Sequence, residues 1–134
     1  MNLENSIKNK LNGNKESSKN YINLVEQKYT RLLNENEQSI EIGDILRIGY
    51  LIPEGTKERT QYYEGLVISK KNRGLGKSFT IRRNVQGVGV EQIFVFNSPK
   101  IISIIKKQSS KVRRAKLYFI RSLSGKATRL KAKI

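Results

Sequence analysis

Lysine and arginine are the residues whose number and spacing here can do chemistry, and that chemistry is the neutralisation of phosphate. Six cations stand between positions 70 and 83: Lys70, Lys71, Arg73, Lys77, Arg82 and Arg83, with no acid among them. After Glu91, the last acid of the chain, twelve more follow. They include Lys111, Arg113, Arg114, Lys116, Arg121, Lys126, Arg129 and Lys131, with aromatic and aliphatic residues between them. Such a segment cannot neutralise its own charge and needs a polyanion, whose binding releases counterions for each phosphate met. A net charge of +16 and a pI of about 10.3 point the same way. Tyr118 adds a ring that can stack on an unpaired base, and Phe119 can do the same or face the core.

Other chemistries lack their residues. Histidine and cysteine are absent, so the commonest general base, metal ligand and strong nucleophile are missing. No enzyme, metal site or cofactor is expected, and no disulfide can form. The carboxylates Glu54, Glu58 and Glu64 flank a turn and a strand, where ion pairs with Lys57, Arg59 or Arg82 are the plain reading. Gly76-Lys77-Ser78 imitates the end of a nucleotide-binding loop, but the required earlier glycine is Lys71 and a strand pattern follows. Gly87-Val88-Gly89 begins like a dinucleotide fingerprint without its third glycine and reads as a turn and bulge. No apolar run is long enough to span a bilayer, and the N-terminus resembles neither a secretory signal nor a transit peptide. A basic amphipathic segment can also lie on a membrane, but the narrow apolar face and the lack of tryptophan favour nucleic acid. The absence of a helix-turn-helix or zinc-finger pattern, and a tail suited to irregular grooves, favour RNA over DNA.

The elements that must position these cations follow from periodicity. The polar, Asn-rich residues 1–39 form an extension, with apolar residues at helical spacing from Asn20 to Asn34. That helix packs on the chain's own core or docks a partner. Residues 40–105 read as five short strands separated by turns: Ile45–Ile52, Gln61–Ser69, Ser78–Arg83, Val88–Phe96 and Ile101–Ile105. Pro53-Glu54-Gly55 is the first turn, and Thr56–Thr60 reads as a loop. The class is mainly β, a small barrel or sandwich. Residues 106–134 form a basic extension. Val112, Ala115, Phe119 and Leu123 predict a helix from Ser110 to Leu123, capped by Ser110. Residues 126–134 are expected to stay extended until bound.

Several motifs, in order, carry a resemblance. Tyr63-Glu64-Gly65-Leu66-Val67-Ile68, Asn72-Arg73-Gly74-Leu75, Ser78-Phe79-Thr80-Ile81-Arg82, Gly87-Val88-Gly89-Val90-Glu91 and Ser98-Pro99 come first. Arg114-Ala115-Lys116-Leu117-Tyr118 and Gly125-Lys126-Ala127 complete the set. Over about two-thirds of its length the chain resembles the bacterial- and plastid-type large-subunit ribosomal protein L-nineteen family. The resemblance implies a small Src-homology-3-like barrel with a C-terminal extension. It implies a structural constituent of the large ribosomal subunit that binds its ribosomal RNA and touches neighbouring ribosomal proteins. It also implies a bridge to the small-subunit RNA. Arg73 and the Ser78–Arg83 strand would face RNA, and Arg113, Arg114, Lys116, Arg121, Lys126 and Arg129 would thread it. Gly76 stands where bacterial relatives often carry a histidine. Abundant Asn, Lys and Ile, with Ser98-Pro99-Lys100-Ile101 and Lys126-Ala127-Thr128-Arg129-Leu130-Lys131, resemble a plastid member; a bacterial cytoplasm is the alternative location. The alternative function is a transiently bound RNA- or DNA-binding translation or transcription factor.

Overall fold

The computed structural model describes residues 21–27 and 39–133. Residues 21–27 are helical and belong to one compact unit, while residues 39–133 belong to another. The rest of the stretch expected to be helical lies outside the described residues.

The second unit is built on one antiparallel sheet. Its strands are β1 (Ile45–Glu54), β2 (Lys57–Lys71), β3 (Ser78–Val85), β4 (Val88–Val95) and β5 (Ile101–Gln108). Their order is β4-β3-β2-β1-β5. No ladder joins the edge strands β4 and β5, so the sheet curls like a barrel without closing by hydrogen bonds. Alternation decides which side chains go inward. Leu46 and Ile48 on β1, Tyr63 and Val67 on β2, Phe79 and Ile81 on β3, Phe94 on β4, and Ile101 and Ile104 on β5 share one core with Ile40. That edge-strand residues Phe94 and Ile104 meet in one cluster is what the curl achieves. Phe94 sits at its centre, edge-on to Tyr50 and Tyr63 with ring centroids at 5.8 and 5.3 Å. Phe79 stacks against it at 5.8 Å.

Several strand ends depart from the expectation: β2 runs on to Lys71, β3 to Val85, and β5 to Gln108, so Lys106–Gln108 belong to the sheet rather than to the extension. The first turn is Gly55-Thr56, with Glu54 paired to Lys57, and Gly55 alone takes the left-handed conformation, φ 62°. Pro53 lies inside β1, opposite Glu58. It is tolerated because the β5 ladder ends at Tyr50↔Ile101, which leaves Pro53 on an edge. The charged residues Lys57–Thr60 are therefore strand, carried by pairing with β1 rather than by any burial of their own. At the other hairpin the two-residue turn Gln86-Gly87 has positive φ at both positions, the geometry that matches strand twist.

β2 also carries a bulge and, on its outer face, part of a second core. Val67 pairs with Ile81 and Ser69 with Thr80, so Ile68 is an extra residue. Parity flips across it: Val67 and, beyond the bulge, Lys70 both lie on the inner side. Ile68 points to the opposite face, where it is fully buried with Leu117 and Ile120. Its carbonyl accepts the Leu117 N–H at 2.8 Å. Ile42, Leu66, Val112, Phe119 and Leu130 pack around them.

The tail is thus folded onto the outer face of the sheet, and the expected helix from Ser110 to Leu123 is absent. Its turns are 3-10 in type, at Tyr118–Ser122 and Gly125–Thr128. An α-helix would set Lys111 beside Arg114 and Arg113 beside Lys116, like charges one turn apart. The apolar residues bury just as well from a looped path. Ser110 caps nothing and instead forms an isolated antiparallel bridge with Ala132. Two backbone bonds hold the base of this loop, Lys111 N–H to Lys131 O at 2.9 Å and Lys133 N–H to Ser109 O at 2.8 Å. Residues 126–133 are therefore folded back rather than extended.

Candidate nucleic-acid interface

The six cations between 70 and 83 divide into two groups. Lys70, Lys71, Arg73 and Lys77 gather at the β2–β3 turn, where Lys70 pairs across to Phe79 and Lys71 to Ser78. Arg82 and Arg83 lie toward the far end of β3. Within the first group, Lys71 and Arg73 are exposed. The Lys70 ammonium donates to Ile40 O at 3.1 Å and stands 5.6 Å from the Phe96 ring centroid. Lys77 is half-buried, 5.1 Å from the same ring. These two are held by the barrel as well as charged, a cation over a ring being worth about 0.5–2 kcal/mol.

Arg82 and Arg83 are tied down further. The Arg83 guanidinium lies 3.9 Å from the Tyr63 ring centroid, and its buried Nε has no hydrogen-bond partner. Arg82 Nη1 donates to Glu91 Oε1 at 3.0 Å, with only 16% of its side chain exposed. Glu91 also accepts a two-bond fork from Arg121, Nε to Oε1 and Nη2 to Oε2, each at 2.7 Å. The Arg121 hydrogen bonds pull the Glu91 carboxyl below the usual carboxylate range; burial opposes them, and the Arg121 charge and Arg82 reinforce them. Glu91 thus clips the tail to β4. It was visible in the sequence as the only acid after Glu64, which marks it for pairing, although its partners were not foreseen.

The tail cations are arranged differently. Lys111, Arg113, Arg114, Lys116, Lys126, Arg129 and Lys131 are all exposed, and none is paired with a described carboxylate. Two of these, Arg114 and Lys116, stand over rings, as does the Glu91-paired Arg121. Arg114 is 5.0 Å from Phe119, while Lys116 and Arg121 are 5.7 and 4.4 Å from Tyr118. Tyr118 remains exposed. Arg129 joins the two regions, lining one cleft with Arg82 and Arg83 and another with Arg113 and Arg114. The foundation beneath the tail is a buried cluster that the sequence reading missed. Asp44 is fully buried and accepts from Lys106 at 2.8 Å, from the Glu41 N–H at 2.8 Å and from Ser109 Oγ at 2.7 Å. The local contact with Glu41 does not mark Asp44 for this, since its side-chain partners Lys106 and Ser109 come from the other end of the unit.

No group of three metal-ligating side chains occurs among the described residues, and no described helix is long and apolar enough to cross a membrane. The arrangement offers exposed cations and rings on a pinned scaffold, which is equipment for holding a polyanion.

The comparisons with known proteins agree with the motifs. Residues 20–133 match the family model described as ribosomal protein L19. The large ribosomal subunit protein bL19c of Phaeodactylum tricornutum is 50% identical over 110 residues, covering 82% of this chain and 89% of the relative. That of Rhodomonas salina is 51% identical over 110 residues, covering 82% and 88%. The large ribosomal subunit protein bL19 of Cyanothece sp. is 52% identical over 99 residues, covering 74% and 82%. With a folded unit built from the shared motifs and a match across most of its length, the chain belongs to the ribosomal protein L19 family.

Proposed function

We propose that the chain clamps ribosomal RNA of the large subunit, with the exposed tail cations as its main phosphate contacts and Lys71 and Arg73 as a second set. It is a structural ribosomal protein rather than an enzyme, and its place is the plastid ribosome. The observation that carries the RNA reading is the sorting of the tail. Leu117 and Ile120 are buried on the sheet, while seven cations of the same segment are exposed without a described carboxylate beside them. A segment folded in this way keeps its charge available and loses little conformational entropy on binding. Lys70, Lys77, Arg82, Arg83 and Arg121 have a share in the barrel's own cohesion, so their part in RNA binding is secondary.

The family likeness supports two finer assignments: a bridge to small-subunit RNA and contacts with neighbouring ribosomal proteins. Sucrose-gradient sedimentation at high salt tests the main reading. The chain is expected in stoichiometric amount with the large subunit, and recovery only at the top of the gradient would sink it. Subunit joining at low magnesium tests the bridge. Large subunits lacking the chain should join small subunits poorly, and normal joining would refute the bridge.

A further inference from the structure

We propose that the cleft inside the tail loop receives one unpaired nucleobase of RNA; this rests on the reading of the tail as RNA-binding and adds a specific occupant. The cleft has a volume of about 660 Å³, within the ~300–1,000 Å³ typical of small-ligand sites. Its apolar wall includes Val112, Phe119 and Leu130, which are partly buried and pack against the second core, so they are held in place. Five of its ten lining residues are cations and none is an acid. The walls are held from several directions: Leu117 is bonded to the bulge at Ile68, and Lys111 to Lys131. The Arg114 guanidinium already lies over the Phe119 ring, so a planar guanidinium and an aromatic ring meet at the cleft.

This combination selects one kind of occupant. A phosphate alone would find cations but would waste the apolar wall. An apolar ligand would fit the wall but would not use the positive rim. A nucleotide of RNA uses both: its base enters the cleft and its flanking phosphates meet Arg113, Arg114 and Lys131. A base inside a paired helix is stacked and cannot enter, so the site favours a bulged or looped nucleotide.

The test uses the full chain and three RNA duplexes of equal length at one salt concentration. One is fully paired, one carries a single bulged adenosine, and one carries an abasic bulge. The bulged adenosine should bind about tenfold tighter than the paired duplex, the scale of one base stacked on an aromatic side chain. The abasic bulge should lose that advantage. If the abasic bulge binds as tightly as the adenosine, backbone shape is being read and the proposal fails. Ala127 lines the cleft and is exposed, so Ala127→Phe should obstruct entry of a base without removing a cation. It should abolish the preference for the bulge while leaving affinity for the paired duplex and the melting temperature unchanged. The smaller Ala127→Leu should reduce the preference in part. A preference that survives both substitutions puts the base elsewhere and overturns the proposal. Equal binding of all three RNAs refutes the base site but leaves the RNA reading standing; no binding of any of them at low salt refutes both.

Discussion

Asp44 has no exposed surface, yet it is charged. Burial pushes its carboxyl up, but the hydrogen bond from Lys106, those from the Glu41 N–H and Ser109, and the Lys106 charge outweigh that and hold it below the usual carboxylate range. A group whose pKa is lower folded than unfolded stabilises the fold above its unfolded value, about 3.9. That contribution shrinks as pH falls and is lost once pH passes below the folded value. Asp44→Asn should therefore cost about 1–3 kcal/mol at pH 7, and its deficit relative to the unmodified chain should narrow as pH drops through 4. Denaturant unfolding at a series of pH values reads both. A deficit that stays constant down to pH 2 would mean that Asp44 stabilises through shape rather than charge. Glu91 is shifted in the same direction, so some acid sensitivity remains in the variant. Neither effect was legible in the sequence. An acid beside a glycine at a strand entrance looks like any turn residue, and its partners Lys106 and Ser109 lie more than sixty positions away.

At the scale of elements, the sheet was legible where alternation and turn residues agree, and illegible where pairing alone decides. β3 was readable because Phe79 and Ile81 alternate with Ser78, Thr80 and Arg82, whereas β4 was marked by its bounding turns, since Phe94 stands between the apolar and exposed Ile93 and Val95. The stretch Lys57–Thr60 was not, since each of its residues is exposed and only the β1 ladder makes it strand. The tail misled for a related reason. Apolar residues three and four apart fit a helix, but they fit a looped segment crossing an apolar patch equally well, and that patch is made by Leu66 and Ile68 of β2 with Ile42, residues distant in sequence from the tail. Leu117→Ala should accordingly cost about 3 kcal/mol and free the tail, so amide exchange should accelerate at Lys111 and Leu117 while the β2–β3 amides change little. Uniform acceleration would mean the two cores open as one. Gly65 shows a tighter constraint. A Cβ there would lie 2.5 Å from Ile81 Cγ2 and 2.7 Å from the Arg82 carbonyl oxygen. The glycine of the Tyr63–Ile68 motif thus allows β3 to cross closely over β2. Gly65→Ala should cost about 1–3 kcal/mol through overpacking, seen as a lowered melting temperature; an unchanged temperature would mean that the strands separate freely.

For the molecule as a whole, the number of basic residues overstates the number of phosphates that can be held. Charge and family were legible in the sequence, the first from composition and the second from several motifs in order. Which cations are engaged by the protein itself depends on contacts such as Arg121 with Glu91. That difference can be measured through salt. Each phosphate neutralised contributes about 0.9 to the slope of log affinity against log salt on duplex, and about 0.7 on single strands. Arg113 and Arg114 are exposed and have no described carboxylate beside them, so replacing both by alanine should make the slope shallower by about 1.4–1.8. Arg121 meets two oxygens of Glu91. For it to bind a phosphate, that fork must open, leaving Glu91 against the approaching RNA. Arg121→Ala should therefore lower the melting temperature while changing the slope by much less than one phosphate's worth. Equal slope changes per arginine in the two variants would show that RNA displaces Glu91, and that the clip between tail and β4 opens on binding.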